Sequence, residues 1–313
     1  MKGTVNLFFA CDDKYVPLLG VTLHSIKKHA DKERVYDIKI LNTGIAEEHK
    51  TRILEAFSGE NFLIEFPDIS REVERIADNL HTRDYYSKST YYRLFIPTLY
   101  PTLSRALYLD CDIVLTSDVG ELFDTEIGEN LVGTIVDSFV FRVDSLRRYA
   151  VSRLGLCDPI NYFNAGILLM NLDEMRRFDF ERKFIELLSA VKFTVAQDQD
   201  YLNVICFGRR REIGCEWNCM PGFTDSTGLS PKLIHYNIDS KPWHKDGVEF
   251  ANVFWQYSDE SPYASEIRMI KESYCDEEKS RRETENLIET SRVEGEDEIT
   301  NEKLRALYAE IRG

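Results

Sequence analysis

The 313-residue sequence lacks several signatures of common functional classes. It contains no Gly-x-Gly, which excludes a Rossmann dinucleotide fingerprint, and Gly128 with Gly133 lacks the lysine of a phosphate-binding P-loop. No apolar run has the length of a membrane span, and the apolar start at 5–10 has neither a basic flank nor a cleavage site. We therefore expect a cytoplasmic protein without an integral membrane segment.

Cysteines are few, and acidic residues outnumber basic ones by 54 to 39. The seven cysteines are scattered along the chain in an odd number, so no disulfide framework is expected. The formal net charge of −15 repels phosphodiester polymers and makes nucleic acid an improbable partner. A phosphorylated small ligand would need local attraction, which a bound dication supplies.

What the sequence does contain is an alternation of apolar strands and amphipathic helices. This alternation predicts an α/β fold with a mixed, mostly parallel sheet flanked by helices. Strands are predicted at 5–10, 35–42, 61–66, 105–110, 131–137 and 165–171, and helices at 15–29, 172–193 and 199–207. Ligands of such sheets bind beyond the carboxyl ends of the strands, where Asp12, Asp110, Asp112 and Asp137 are expected.

The segment LYLDCDIVL at 107–115 places Asp110 and Asp112 at the end of an apolar strand. Side chains two residues apart in a strand point the same way, so both carboxylates can bind one cation while Cys111 turns away. Carboxylate oxygens suit Mg²⁺ or Mn²⁺. Two alternatives are that the acids only end a buried strand, or that they serve a phosphatase of the haloacid dehalogenase type. The phosphatase ranks lower because its Gly-Asp motif is absent.

Six separated strings occur along the chain: FFACDDKYV, STYYRLFIP, LYLDCDIVL, YFNAGILLMN, QDQDYLN and HYNIDSKPWH. Together they resemble the retaining glycosyltransferases of family 8, which include bacterial lipooligosaccharide galactosyltransferases and glycogenin. The resemblance covers residues 4 to about 257 and implies a GT-A glycosyltransferase domain over 1–257. Residues 258–313 differ in composition, since between 276 and 302 eleven acids accompany four bases. We expect 258–313 to form a charged helical or partly disordered extension, a candidate homo-oligomerisation element.

The resemblance implies a manganese site. The family's Mn²⁺ is bound by both aspartates and by a distant histidine that corresponds to His235, and an imidazole ligand favours Mn²⁺ over Mg²⁺, although Mg²⁺ stays an alternative. Lys241 corresponds to a residue that contacts the donor diphosphate. Without the resemblance, His235 would be interpreted as a core or surface histidine and Lys241 as a surface lysine.

The N-terminal string resembles the segment that holds the uracil ring of a UDP-sugar. Asp12 would accept a hydrogen bond from the ring, Tyr15 would stack near the base, and Ala10 and Cys111 correspond to further donor-binding positions. The alternative is that Asp12 or Asp13 caps the helix that follows.

Further positions correspond to residues around the donor sugar. Arg93 matches an arginine that reaches the sugar and the diphosphate, with an internal salt bridge as the alternative. Asp137, Asn164 and the backbone of Ala165 and Gly166 match positions near the sugar hydroxyls. Asn164 would otherwise only terminate a turn.

Asp198 and Gln199 are the candidate catalytic residues. The matching aspartate of the family binds hydroxyls of the transferred hexose, and the matching glutamine lies opposite the leaving group. An acid at a helix start also stabilises the helix dipole, which is a complete structural explanation for Asp198. An amide is a poor nucleophile, so a double displacement would need Asp198 or Asp137. We favour substitution from the face of the leaving group, and both mechanisms stay open.

The function implied is the Mn²⁺-dependent, retaining transfer of galactose or glucose from a UDP-hexose to a glycan, lipid-linked glycan or glycoprotein. The alternatives are a non-catalytic protein that binds nucleotide sugars or glycans, and a self-glucosylating primer on the same fold. Two positions depart from the family pattern. Lys14 stands where many members have Asn, and Ile238 stands where Gly usually follows the histidine.

Overall fold

The computed structural model describes residues 2–76, 88–274 and 277–313, and the chain divides into two compact units. Unit 1 comprises Met1–Ser70, Ala106–Glu126 and Gly214–Arg281. Unit 2 comprises Arg71–Arg105, Ile127–Ile213 and Arg282–Gly313. Each unit is therefore assembled from three separate segments of the chain.

The strands follow one another along both units. In chain order they are β1 (Thr4–Ala10), β2 (Val35–Leu41), β3 (Phe62–Glu65), β4 (Arg105–Leu109), β5 (Ile113–Leu115), β6 (Val132–Val136), β7 (Phe163–Asn171), β8 (Arg210–Glu212) and β9 (Leu233–His235). The predicted strands at 5–10, 35–42, 61–66, 105–110, 131–137 and 165–171 agree with β1, β2, β3, β4, β6 and β7 to within two residues at each end. The short strands β5, β8 and β9 were not predicted.

Helices separate most of these strands. The α-helices are α1 (Val16–His29), α2 (Glu47–Phe57), α3 (Ser70–Glu74), α4 (Ile96–Leu99), α5 (Val119–Phe123), α6 (Ser138–Arg142), α7 (Asp144–Ser152), α8 (Leu172–Arg177), α9 (Phe180–Ala190), α10 (Asp198–Ile205), α11 (Ala251–Glu260), α12 (Ala264–Ser273), α13 (Glu277–Glu296) and α14 (Glu298–Arg312). Three short 3-10 helices matter below: Asp13–Tyr15, Lys88–Phe95 and Pro159–Asn161.

Unit 1 is built on a parallel sheet with β1 inside it. β1 pairs with β2 on one side and with β4 on the other, where Leu7 lies opposite Leu107, and β3 pairs with β2. Asp12 and Asp110 therefore follow two neighbouring parallel strands. β5 and β9 form a separate antiparallel ribbon in which Ile113 lies opposite His235. This register brings the histidine to the residue that follows Asp112.

Unit 2 contains an antiparallel pair and a parallel pair. β6 runs antiparallel to β7 and parallel to β8. Val136 at the end of β6 lies opposite Phe163 at the start of β7. Asp137 consequently lies opposite Tyr162, and its amide donates to the Tyr162 carbonyl oxygen at 3.1 Å. Over both units the pairing is mixed and mostly parallel, which confirms the predicted α/β fold class.

The helix predicted at 172–193 is two helices, α8 and α9. The break falls at Asp179, whose backbone has the left-handed φ of 60° that Asp tolerates better than most residues. Asn171 caps α8 by accepting a hydrogen bond from the Glu174 amide. The backbone turn at Asp179 therefore divides the predicted helix in two, although the apolar pattern in the sequence continues through it.

The last helices pack into the body of unit 2. Tyr308 and Ile311 of α14 are 1% exposed, and the Arg312 guanidinium donates to the backbone oxygens of Val204, Gly155 and Leu154. The division predicted at residue 257 falls within α11 and stays a prediction. Within the described ranges, no helix combines the length and apolar character needed to cross a lipid bilayer.

Candidate metal and sugar-binding sites

Three side chains of unit 1 form a candidate metal site: Asp110, Asp112 and His235. The Nε2 atom of His235 lies 3.4 Å from Oδ1 of Asp112 and 3.8 Å from Oδ2 of Asp110, and the three candidate ligand atoms all lie within 4.8 Å of one another. Ligand atoms bound at about 2.1 Å to one ion lie at most about 4.2 Å apart. The three ligand atoms would therefore need to move only slightly closer together to coordinate one divalent cation.

A buried asparagine holds the imidazole in the orientation that a metal needs. The Nδ1 atom of His235 lies 3.0 Å from Oδ1 of Asn218, and these residues are 2% and 0% exposed. A carboxamide oxygen only accepts, so Nδ1 carries the proton and Nε2 presents its lone pair towards the two carboxylates. The donor set and the tautomer both fit a divalent metal. Sequence reasoning missed Asn218, because it belongs to no motif and lies 17 residues from His235.

Lys241 lies against this triad. Its Nζ atom donates to Oδ2 of Asp112 at 2.9 Å and to the Tyr15 hydroxyl at 3.4 Å, and the lysine is 4% exposed. Burial raises the pKa of Asp112, but Lys241 and His235 lower it by more, so the pKa lies well below its usual range. The two carboxylates and the lysine leave one net negative charge, which favours a dication. The alternative of an ordinary surface lysine does not hold, because Lys241 is buried.

Around Asp12 the structure supports the capping role that the sequence left open. Oδ1 of Asp12 accepts from the Tyr15 amide at 3.2 Å and caps the 3-10 helix Asp13–Tyr15, while Asp13 accepts from the Ala46 amide at 2.8 Å. The Cys111 thiol turns into the packing, where it lies 3.4 Å from the Ala10 carbonyl oxygen.

Ile238 has a left-handed backbone, with φ of 54°. Glycine adopts this conformation without strain, whereas a β-branched side chain does so at a cost. An isoleucine in place of the family's glycine would be expected to change the loop after His235. The structure instead retains at Ile238 a backbone conformation that suits glycine.

In unit 2 a hydrogen-bond network surrounds Gln199. Its Oε1 accepts from the Ala165 amide at 2.8 Å, and its Nε2 lies 3.2 Å from Oδ2 of Asp137 and 3.1 Å from the Tyr162 hydroxyl. Asp137 also accepts from the Asn164 side-chain amide at 2.9 Å. The carboxamide of Gln199 is therefore fixed in one orientation.

The remaining bonds of Asp137 and Asn164 shape the local backbone. Oδ1 of Asp137 accepts from the Val140 amide at 2.9 Å and so caps α6. The Asn164 oxygen accepts from the Gly166 amide at 2.9 Å. The two side chains thus hold the start of α6 and the start of β7 together.

Arg93 and Asp198 form a buried ion pair in the same unit. Nε of Arg93 lies 3.3 Å from Oδ2 of Asp198, and the side chains are 3% and 4% exposed. The guanidinium also donates to the backbone oxygens of Thr90, at 2.8 Å, and Ala165. The internal salt bridge considered for Arg93 is therefore present, and it fixes the Asp198 carboxylate beside the Gln199 network.

Behind Gln199 lies a buried acid that sequence reasoning did not select. Asp200 is 0% exposed and accepts from the hydroxyls of Tyr162 at 2.8 Å and Tyr149 at 2.9 Å, and from the Ala196 amide at 3.0 Å. Burial raises its pKa to about 7, although these hydrogen bonds lower it. Tyr162 donates to Asp200 and accepts from Gln199, so it links the two residues.

Comparison with known proteins identifies the family of this chain. Residues 6–247 match the family described as glycosyl transferase family 8. The chain is 24% identical over 272 residues to the lipopolysaccharide 1,3-galactosyltransferase of Salmonella typhimurium, covering 83% of this chain and 79% of that protein. It is 26% identical over 264 residues to the lipopolysaccharide 1,2-glucosyltransferase of Escherichia coli, covering 77% and 73%.

A solved structure agrees in fold. The galactosyltransferase LgtC, crystallised with donor and acceptor sugar analogues, superposes with a TM-score of 0.68 at 26% identity, covering 82% of this chain and 96% of that chain. The GT-A fold implied by the six strings is thereby confirmed.

Proposed function

The chain belongs to glycosyl transferase family 8 and is a glycosyltransferase, and we propose that it transfers galactose or glucose from a UDP-hexose to a hydroxyl of a glycan or glycoconjugate with retention. The observation that carries this proposal is the triad of Asp110, Asp112 and His235, with the imidazole tautomer set by Asn218. Relatives named as lipopolysaccharide galactosyl- and glucosyltransferases support a hexose donor and a glycan acceptor.

In unit 1 the triad would hold Mn²⁺, since one nitrogen ligand beside two carboxylates suits Mn²⁺ better than Mg²⁺. When bound, the metal neutralises charge on the diphosphate of the leaving UDP. Lys241 provides a second positive charge for the same group. The residues that we propose to bind the uridine are Asp12, Tyr15, Ala10 and Cys111.

The residues of unit 2 that we propose to bind the transferred hexose are Asp137, Asn164, Arg93, Asp198 and the backbone of Ala165 and Gly166. Asp198 is paired with Arg93, and Asp137 accepts three hydrogen bonds, so neither carboxylate is a strong nucleophile. We therefore favour substitution from a single face of the sugar. The bond from C1 to the phosphate oxygen breaks with its electrons on UDP, the acceptor oxygen bonds to C1 from that face, and its proton passes to the phosphate.

Gln199 would act on the opposite face. Its Nε2 atom is hydrogen-bonded to Asp137 and Tyr162, and one lone pair of Oε1 accepts from the Ala165 amide. The second lone pair of Oε1 is therefore available to stabilise the positive charge that develops at C1. A cytoplasmic location and a homo-oligomeric state stay predictions.

The test is a screen of UDP release from UDP-sugars, with Mn²⁺ and with EDTA. We expect release from UDP-galactose or UDP-glucose that requires the metal, and we expect His235→Ala to lower it by at least about 10². His24→Ala is the matched control, because His24 lies in the same unit and pairs with Glu260. EDTA-insensitive release, or equal activity of both variants, would contradict the proposal.

A further inference from the structure

A surface cleft of about 430 Å³ lies in unit 2, and no step described above uses it. Its lining residues are Asp144, Arg147, Arg148, Val151 and Pro159. The first four lie at spacings of three, four and seven along α7, which places them on one face of that helix. The cleft is thus formed by the outer face of α7 and the 3-10 turn Pro159–Asn161.

Exposed apolar side chains occur on α7, on the turn Pro159–Asn161 and on α6, which contacts both of them. Phe141, Val151 and Ile160 are 46%, 38% and 42% exposed. Single exposed apolar residues are ordinary, but a group of them beside a concavity is typical of a binding surface. An aromatic ring and aliphatic side chains suit the C–H faces of a sugar ring.

The cleft is also basic, in a chain whose net charge is −15. Arg148 of the cleft lining and Arg142, at the end of the neighbouring helix α6, are exposed and have no acidic partner among the described residues, while Arg147 pairs with Asp144. Guanidinium groups bind carboxylates and phosphates through two parallel hydrogen bonds. The local charge therefore favours an anionic ligand that the rest of the chain would repel.

Two segments at the cleft, the turn Pro159–Asn161 and the neighbouring helix α6, lead directly along the chain to the Gln199 network. Asp137 caps α6, the helix that ends at Arg142, and its carboxylate lies 3.2 Å from Nε2 of Gln199. Tyr162 follows the turn Pro159–Asn161, and its hydroxyl lies 3.1 Å from the same atom. A helix of five residues is about 8 Å long, which a disaccharide can span.

We propose that this cleft binds the acceptor, and that the acceptor is a glycan with a carboxylate or phosphate group near the hydroxyl that receives the hexose. The inference rests on the proposed glycosyl transfer, because it places the acceptor beside the residues assigned to the transferred sugar. Arg142 and Arg148 bind the anionic group, and Phe141 with Ile160 packs against the sugar.

The test measures binding of three small probes by saturation-transfer NMR: phenyl β-glucuronide, phenyl β-glucoside 6-phosphate and neutral phenyl β-glucoside. We expect at least one anionic probe to bind about tenfold more tightly than the neutral one, and Arg148→Glu to abolish that difference. The two anionic probes distinguish carboxylate from phosphate. Arg211→Glu is the control, since Arg211 is exposed, lies in the same unit and is not part of the cleft lining. The substitution makes the same change in charge.

Equal binding of charged and neutral probes would overturn the proposal, as would anionic binding that Arg148→Glu leaves intact. Phe141→Ala should weaken all three probes, and thermal unfolding verifies that each variant is folded. If Arg148→Glu reduced binding to phosphatidylglycerol vesicles and left glucuronide binding unchanged, the surface would bind membranes and the proposal would be wrong. Probe binding needs no donor turnover, so a failure here is distinct from a failure to cleave UDP-hexoses.

Discussion

The Nδ1 atom of His235 lies 3.0 Å from the Oδ1 atom of Asn218, and both side chains are buried. This contact joins the end of β9 to a residue that has no place in any motif. It selects the imidazole nitrogen that faces Asp110 and Asp112. A residue outside the ligand set therefore determines whether the third ligand is available.

We predict that Asn218→Ala lowers Mn²⁺ affinity by about 10- to 100-fold, because the imidazole is no longer held in the metal-binding tautomer. The free Mn²⁺ signal in electron paramagnetic resonance titrations gives the dissociation constant directly. Asn218→Asp should recover much of the affinity, since a carboxylate also accepts from Nδ1. An unchanged dissociation constant in the alanine variant would show that Asn218 has only a packing role.

We predict that Gln199→Ala lowers turnover at saturating donor and acceptor by about 10² or more, which corresponds to roughly 3 kcal/mol of transition-state stabilisation. Asp198→Asn should lower turnover similarly, and it also leaves Arg93 without its charged partner. Steady-state kinetics that separate kcat from KM provide the measurement. Gln256→Ala, at an exposed position of α11, is the matched control. Wild-type turnover in both Gln199→Ala and Asp198→Asn would contradict the assignment.

The backbone of Ile238 gives a prediction about stability. At φ of 54° glycine is unstrained, so Ile238→Gly should be more stable than Ile238→Ala by about 1 kcal/mol. At Ile185, within α9, the order should be reversed by about 1 kcal/mol, because glycine is a poor helix former. Urea unfolding of the four variants tests this comparison. The same order of stability at both positions would exclude strain at Ile238.

Asp200 should make stability depend on pH. Its folded pKa of about 7 lies above the ordinary value of 3.8, so the folded state holds a proton that the unfolded state releases. The contribution of this group to the unfolding free energy is fully present below about pH 4 and is lost as the pH rises through about 7. Unfolding free energy should therefore fall by a few kcal/mol between pH 5 and pH 8.

The pH slope distinguishes Asp200 from other titrating groups. Asp200→Asn should flatten the slope between pH 5 and pH 8, while Asp246→Asn, at an exposed residue paired with Lys271, should retain it. Urea unfolding at several pH values gives both slopes. A slope as steep in Asp200→Asn as in the wild type would mean that Asp200 is ionised in the folded protein.

Much of the fold could be predicted because apolar strands that end in polar residues have a strong local signal. Asp110 and Asp112 could be selected as metal ligands from the chain alone, since a strand directs alternate side chains to one side. His235 could not, because its role depends on a ribbon between β5 and β9 whose three-residue strands are too short to show a pattern. Only the resemblance to family 8 identified it.

The contacts around Gln199 could not be predicted for a related reason. Tyr162 lies 37 residues from Gln199, and Tyr149 lies 51 residues from Asp200. Their hydrogen bonds exist because β7, α7 and α10 pack together, and no local spacing records that packing. The pair Arg93 and Asp198 is similar, since a buried arginine indicates an anionic partner without specifying which one.

The most direct test of the central claim is the proton NMR spectrum of UDP-galactose or UDP-glucose incubated with the protein and Mn²⁺. The account predicts that the first sugar product has the α configuration of the donor, and that EDTA stops its formation. A product that forms first in the β configuration, or one that accumulates equally in EDTA, would contradict retaining transfer at the site of Asp110, Asp112 and His235.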